Sequence, residues 1–155
     1  DYKRDVILEI GCLKYKNHQL VDTFHTLINP GMHIPEQTTE ANHITDDMVK
    51  DAPFASEKLK ELIDFIGNNV IVGHNVGFDI KFLITACCFC IIDYPKFTTI
   101  NTITLAHKYL PLDSYSLDSI RKYFHNNDIA HRAISDCEMT AMLYQYCYEQ
   151  NSKNI

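Results

Sequence analysis

Two aspartates and one histidine stand in short motifs far apart in the chain. Asp79 ends the run His74-Asn75-Val76-Gly77-Phe78-Asp79, and Asp136 closes His131-Arg132-Ala133-Ile134-Ser135-Asp136. Carboxylates are hard oxygen ligands suited to Mg²⁺ or Mn²⁺, and an imidazole with a reference pKa of about 6.5 can take a proton from water near neutrality. Brought into one pocket, these three side chains are most of what metal-assisted phosphodiester hydrolysis needs. Each also has an ordinary reading. Asp79 stands where an aspartate caps a helix or answers its dipole, Asp136 is a carboxylate bordering a buried helix face, and a lone histidine before a helix is a surface or capping residue.

His131 and Asp136 lie five positions apart, about 500° around an ideal helix, so they do not share a helical face. His131 is therefore expected in the segment leading into the last helix, free to swing towards a water. Asp136 is expected about one turn inside that helix, rigidly held. Asp79 should follow a strand, at the sheet edge where side chains converge on a crevice. Phe78 beside it offers an apolar surface that suits a base.

The elements that must place these groups follow in order. Val6 to Leu13 is dense in β-branched and apolar residues and reads as a buried strand. After a polar turn at Lys16-Asn17-His18, Gln19 to Ile28 alternates, with Leu20, Phe24 and Leu27 or Ile28 inward, which completes an antiparallel hairpin. Asn29-Pro30-Gly31 ends it, and Met32 to Asn42 reads as an irregular surface connection. Thr45 caps a short helix with Asp46 and Asp47 in its first turn. A second helix carries Phe54, Leu59, Leu62, Ile63 and Ile66 and stops at Gly67-Asn68-Asn69. Val70 to Gly73 is a short strand, and the turn at Asn75 to Gly77 leads into an apolar helix from Phe78 to Cys90. Further helices are expected over Thr102 to Tyr109, from Ser116 with Leu117, Ile120 and Phe124 on one stripe, and through Ile134, Cys137, Ala141, Tyr144 and Tyr148. Strands first, helices later and one strand between helices predict an α/β fold, a mixed sheet flanked by helices.

At 155 residues and 46% apolar content the chain suits a single domain with one substantial core. It has no apolar run of about 18 residues, which excludes a membrane-spanning helix, and no signal-peptide pattern follows Asp1-Tyr2-Lys3-Arg4-Asp5. The six cysteines, Cys12, Cys87, Cys88, Cys90, Cys137 and Cys147, fall mostly in apolar segments, as free thiols of a reducing compartment do, so the cytoplasm is expected. Cys87-Cys88-Phe89-Cys90 has C-x-x-C spacing without a second pair nearby; core packing is preferred there to zinc or redox chemistry. A formal charge of −6 argues against a broad phosphate-binding surface and leaves room for an enzyme that grips only a strand end.

Read together, the motifs resemble the DEDDh branch of the DnaQ-like 3′–5′ exonucleases, in the ribonuclease H-like superfamily. Beyond the two aspartate motifs, the resemblance takes in Leu8-Glu9-Ile10-Gly11, Phe24 to Gly31, Ile44-Thr45-Asp46-Asp47-Met48-Val49, Tyr115-Ser116-Leu117-Asp118-Ser119 and Ala130-His131-Arg132-Ala133. It implies a ribonuclease H-like mixed sheet and an enzyme releasing nucleoside 5′-monophosphates from 3′ ends of single-stranded or frayed DNA, with RNA as the other substrate. Two Mg²⁺ or Mn²⁺ ions about 4 Å apart clamp the scissile phosphate in such sites. By the same resemblance Asp79 and Asp136 are metal ligands and His131 is the general base. Phe78 packs near the terminal nucleotide with His74 and Asn75, and Asn42 to Thr45 line the path of the strand end. The settings it implies are polymerase proofreading, repair and CRISPR adaptation, within a larger polypeptide or complex.

The sequence departs from that family in three places. Asn101 stands where relatives often have aspartate. His43 stands where they usually have glycine, which leaves the local turn open. The Asp-x-Glu motif of the opening central strand is absent, although the residues that follow it align from about Asp1. The expectation is a single exonuclease domain given as a fragment without its first strand, and inactive by itself, because two of four site carboxylates and the middle of the sheet are missing. A different class of function, a degenerate nuclease fold that binds nucleic acid or a protein without cleaving, is favoured by that absence and opposed by the intact Asp79, His131 and Asp136.

Overall fold

The computed structural model describes residues 6–126, 128 and 130–153. The alignment expected to begin at Asp1 starts outside them. β1 (Glu9–Lys16) and β2 (Gln19–Leu27) form the expected antiparallel hairpin. Its two-residue turn puts Asn17 and His18 at φ 51° and 63°, left-handed positions whose twist matches that of the strands. Leu20, expected inward, is exposed, whereas Ile28 is buried. The reason is that residues 15 to 23 are all exposed, so the alternation at the tip of the hairpin has no core to face, and His18 meets the Tyr148 ring at 4.6 Å on the surface.

The segment from Met32 to Asn42 is not irregular throughout, because α1 (Glu36–Asn42) forms after Pro35, whose φ is held at −58°. His43 ends it in the left-handed conformation, φ 60°. The turn a glycine would make is thus kept, at the steric cost of a side chain. α2 (Asp46–Val49) follows Thr45 as expected, although the threonine side chain makes no capping bond. α3 (Ala55–Ile66) buries Leu59, Leu62 and Ile66 with Ile10, Ile28, Leu83 and Cys87 in the main core. Phe54 is not part of that face: it precedes the helix, exposed, and its N–H donates to Glu57 Oε2 at 2.7 Å.

β3 (Ile71–Gly73) pairs in parallel with β4 (Thr99–Asn101), a three-residue strand too short for any pattern to announce. Between them lies α4 (Val76–Phe89); α5 (Thr102–Tyr109), α6 (Leu117–Tyr123) and α7 (Ala133–Lys153) follow. Among the described residues the strands form two pairs, one antiparallel and one parallel. Ladder hydrogen bonds do not join the pairs into one sheet; instead α7 packs on both β1 and β3.

In α7 the buried residues are Met139, Thr140, Leu143 and Cys147. The expected stripe is only half-buried from Ile134 to Tyr144, and Tyr148 is exposed. The helix is covered on two sides, by β1 on one and by α5 and α6 on the other. The fullest burial goes to the helical side, where Ala106, Leu110 and Ile120 complete a second core. Where α7 begins it lies directly on β1: a Cβ added to Gly11 would stand 2.8 Å from Ala133 Cβ.

Candidate active site

Asp79 is delivered by a tightly fastened turn. β3 ends at Gly73, where a Cβ would come within 2.9 Å of Val76 Cβ, so only glycine lets α4 start so close to the strand. Asn75 opens α4 at φ 63°, and its carbonyl accepts from Phe78 N–H at 2.8 Å. Asn101 ties the starts of two helices, its Oδ1 accepting from Asn75 N–H at 3.0 Å and from Ile103 N–H at 3.2 Å. His74 is also engaged: Nε2 donates to the Tyr115 carbonyl at 2.8 Å, and Nδ1 lies 3.0 Å from Thr102 Oγ1. Burial lowers the His74 pKa, against the Tyr115 hydrogen bond and the charge of Asp136.

Asp79 lies in the first turn of α4. Protein packed around its carboxyl pushes the pKa up to about 6; its own backbone N–H opposes the shift and the charge of Asp136 adds to it. The residue as a whole is still exposed, so solvent and ligands can reach it. Phe78, also exposed, leans on Phe82 with ring centroids 4.9 Å apart.

Asp136 stands one turn into α7, its N–H donating to the Arg132 carbonyl at 2.9 Å. Its Oδ1 accepts from Arg121 Nη2 at 2.6 Å. Arg121 is buried in α6; Nη1 donates to Asn126 Oδ1 at 3.2 Å, and Nε has no partner. Sequence reasoning missed this residue, although a signal was available: Arg121 follows Leu117 by one turn and adjoins Ile120, so it borders the apolar stripe. Cys137 follows Asp136 and lies within electrostatic reach of both aspartates. Its thiol donates to the Gly11 carbonyl at 3.4 Å and is pushed up to about 12, first by burial, then by the neighbouring charges of Cys12, Asp136 and Asp79. That thiol is inert at neutral pH.

His131 occupies the expected corner, two residues before α7, at φ 61°. It is exposed, with Nε2 3.8 Å from Asp118 Oδ2 of α6. An exposed pair of this kind is weak and readily released. Asn42 closes α1, its Oδ1 accepting from Ile44 N–H at 2.9 Å within the turn to α2. The structure thus brings Asp79 and His74 each within electrostatic range of Asp136 and sets His131 at the head of the helix that carries Asp136.

Among the described residues no three Asp, Glu, His or Cys side chains group as a metal site would require. Two mutually repelling carboxylates still fit one hard divalent cation, since Mg²⁺ is commonly held by one or two carboxylates with phosphate and water oxygens completing its shell. They do not by themselves make a two-ion site.

Residues 1–144 match the RNase_T family model, described as Exonuclease. The chain is 35% identical over 142 residues to the PolC-type DNA polymerase III of Caldanaerobacter subterraneus subsp. tengcongensis, covering 90% of this chain and 10% of that protein. With the PolC-type DNA polymerase III of Thermotoga maritima it shares 34% over 155 residues, 99% of this chain and 11% of the polymerase. With the 3′-5′ exonuclease DinG of Staphylococcus aureus it shares 32% over 152 residues, 96% and 17% respectively. The chain therefore spans about a tenth of the length of the polymerases it matches and about a sixth of DinG. Among solved structures, Exonuclease X in complex with 5′ overhanging duplex DNA superposes with a TM-score of 0.74 at 24% identity, covering 94% of this chain and 84% of that one. The nuclease domain of 3′hExo, a DEDDh family member bound to rAMP, gives 0.77 at 19% identity, covering 94% and 82%. Both likenesses are of fold, an α/β arrangement of the ribonuclease H-like kind.

Proposed function

This chain belongs to the exonuclease family, and from its resemblance to the DnaQ-like DEDDh branch we propose that it hydrolyses the terminal phosphodiester bond at 3′ ends of single-stranded or frayed DNA, releasing nucleoside 5′-monophosphates. The observation that carries this reading is that Asp79 and Asp136 lie within electrostatic reach of one another, the charge of Asp136 adding to burial in raising the Asp79 pKa. Two hard-oxygen anions within each other's field answer to a cation. A divalent Mg²⁺ or Mn²⁺ held there would neutralise charge developing on the phosphate.

The remaining roles fall to residues around the pair. His131, at an exposed corner and weakly held by Asp118, takes the proton of the attacking water. Phe78 receives the face of the terminal base, as exposed aromatic rings do in sequence-tolerant binding of single strands. His74 and Asn75 hold the turn that aims Phe78 and Asp79, and Asn42 lines the route of the strand end. A two-ion form needs further carboxylates. The separate β1–β2 and β3–β4 pairs support an Asp-x-Glu strand, belonging to a longer polypeptide, as their source. Kinship with PolC-type polymerases and DinG favours DNA over RNA, and a proofreading or end-trimming role.

One observation favours a second reading, a module that binds nucleic acid without cleaving it: Asp136 is already paired with Arg121. The two separate in one experiment. DNA and RNA strands labelled at the 5′ end are incubated with Mg²⁺ and either this chain or the chain extended N-terminally. Stepwise shortening by the extended form supports the enzyme, with the DNA-to-RNA rate ratio reporting substrate preference. Tight binding of strand ends without shortening by either form supports the binding module.

A further inference from the structure

We propose that Glu9 is a positioning residue for this site: from β1 it clamps the backbone corner between His131 and Asp136 and so sets where both side chains stand. The effect on rate rests on the nuclease reading above; the clamp itself does not.

Glu9 opens β1, one strand of a two-stranded hairpin, yet its side chain is only 6% exposed. Four nitrogens of three residues donate to it. Arg132 forks onto the carboxylate, Nη2 to Oε1 at 2.9 Å and Nε to Oε2 at 3.1 Å. Ala133 N–H donates to Oε2 at 3.0 Å, and His25 Nε2 approaches Oε1 at 2.8 Å. Burial alone would raise the carboxyl pKa, but the bonds from Arg132, Ala133 and His25 outweigh it and hold the group at about 2. It is an anion at neutral pH.

The geometry shows what the anion does. Ala133 opens α7, and its N–H is one of the four that a helix start leaves without an internal partner. That donor is ordinarily taken by a neighbour in sequence. Here the acceptor comes from a strand 124 residues away. Two residues further along β1, on the same face, Gly11 provides the space into which Ala133 fits, and its carbonyl accepts from the Cys137 thiol. The first turn of α7 is thus pinned to β1 on both sides of Asp136. Immediately before the pinned residues the chain bends through His131 at φ 61°, so the clamp also sets the base of that side chain. An apolar contact would hold helix to strand at no desolvation cost; what the charged fork adds is direction.

The test compares Glu9→Ala and Glu9→Gln with the unaltered chain, N-terminally extended, by two readouts. Hydrogen exchange at the Ala133 amide reports the clamp without requiring activity, and kcat and KM for 3′-end release report its consequence. Glu9→Ala is expected to speed Ala133 exchange and to lower kcat about 10- to 100-fold with KM nearly unchanged, the scale seen when a supporting residue lets a site drift. Glu9→Gln, which keeps an acceptor for Ala133 but loses the charge that holds the Arg132 fork, should fall between the two, with kcat lowered at least about threefold and exchange measurably faster than in the unaltered chain. Wild-type kcat in folded Glu9→Ala, or a loss confined to KM, overturns the proposal. If Glu9→Ala does not fold, Glu9→Gln decides: a fall of at least about threefold in kcat with faster exchange supports the clamp, and wild-type values for both overturn it. If the unaltered protein releases nothing from 3′ ends, it is the nuclease reading that fails, and the Ala133 exchange still judges the clamp.

Discussion

Arg121 and Asp136 form a 2.6 Å ion pair whose two ends are unequally buried: the guanidinium side chain is 5% exposed and the carboxylate 34%. Removing the carboxylate strands a buried cation whose Nε already lacks a partner. Removing the arginine leaves an anion that water can reach. Asp136→Ala is therefore expected to cost about 2 kcal/mol of stability, between the values for exposed and buried pairs, and Arg121→Met about 1 kcal/mol or less. Urea unfolding of the two variants checks the order. It also makes Asp136→Asn, which keeps an acceptor for Arg121, the better variant for activity.

Arg121 neutralises a side chain that a cation would need. Arg121→Met should tighten Mn²⁺ binding by about fivefold, equivalent to roughly 1 kcal/mol of relieved charge repulsion. Calorimetric titration of Mn²⁺ measures this directly. Unchanged or weaker binding would place the cation away from Asp136.

Asp79 carries a pKa raised from 3.8 to about 6. Its ionised form is disfavoured in the folded protein, so without metal the group lowers stability above pH 6. That penalty shrinks as pH falls from 6 to 3.8 and is absent below. Asp79→Asn is expected to raise Tm in EDTA at pH 7.5 and to leave it unchanged at pH 3.5. Thermal unfolding at the two values tests both halves.

Glu9 has the opposite sign, its pKa lowered from 4.5 to about 2. Its contribution to stability is complete above pH 4.5 and is lost as pH falls from there to 2. Glu9→Gln should flatten that part of the acid-unfolding curve, and a Tm profile between pH 2 and 5 shows whether it does.

His131 is exposed and, among the described residues, approaches Asp118 at 3.8 Å. His131→Ala should leave Tm within about 1 °C of wild type while lowering kcat about 10²- to 10⁴-fold, the range of a lost general base. A comparable loss in both quantities would make it a structural residue.

How much of this was legible in the sequence depended on where each signal resides. The spacing of His131 and Asp136 contains its own geometry, and the structure places both as that spacing requires. α5 runs over Thr102–Tyr109 as expected, since its start is marked locally by Asn101, whose side chain accepts from Ile103 N–H. Residues whose meaning lies in a distant partner were not legible. Glu9 reads as an ordinary strand residue until Arg132 arrives from the other end of the chain, and Arg121 reads as the solvated border of a stripe until Asp136 covers it. The stripe of α7 misled for a related reason: a helix covered on two sides has no single apolar face. α1 and β4 were missed because seven and three residues are too few to establish a period.

The most direct test is the rate at which a 5′-labelled single strand is shortened from its 3′ end by the N-terminally extended chain in Mg²⁺, alongside Asp79→Asn and Asp136→Asn. The expected result is a metal-dependent ladder losing one nucleotide at a time, with each variant slower by at least about a thousandfold. Wild-type rates in either variant would contradict the assignment of that aspartate to the site.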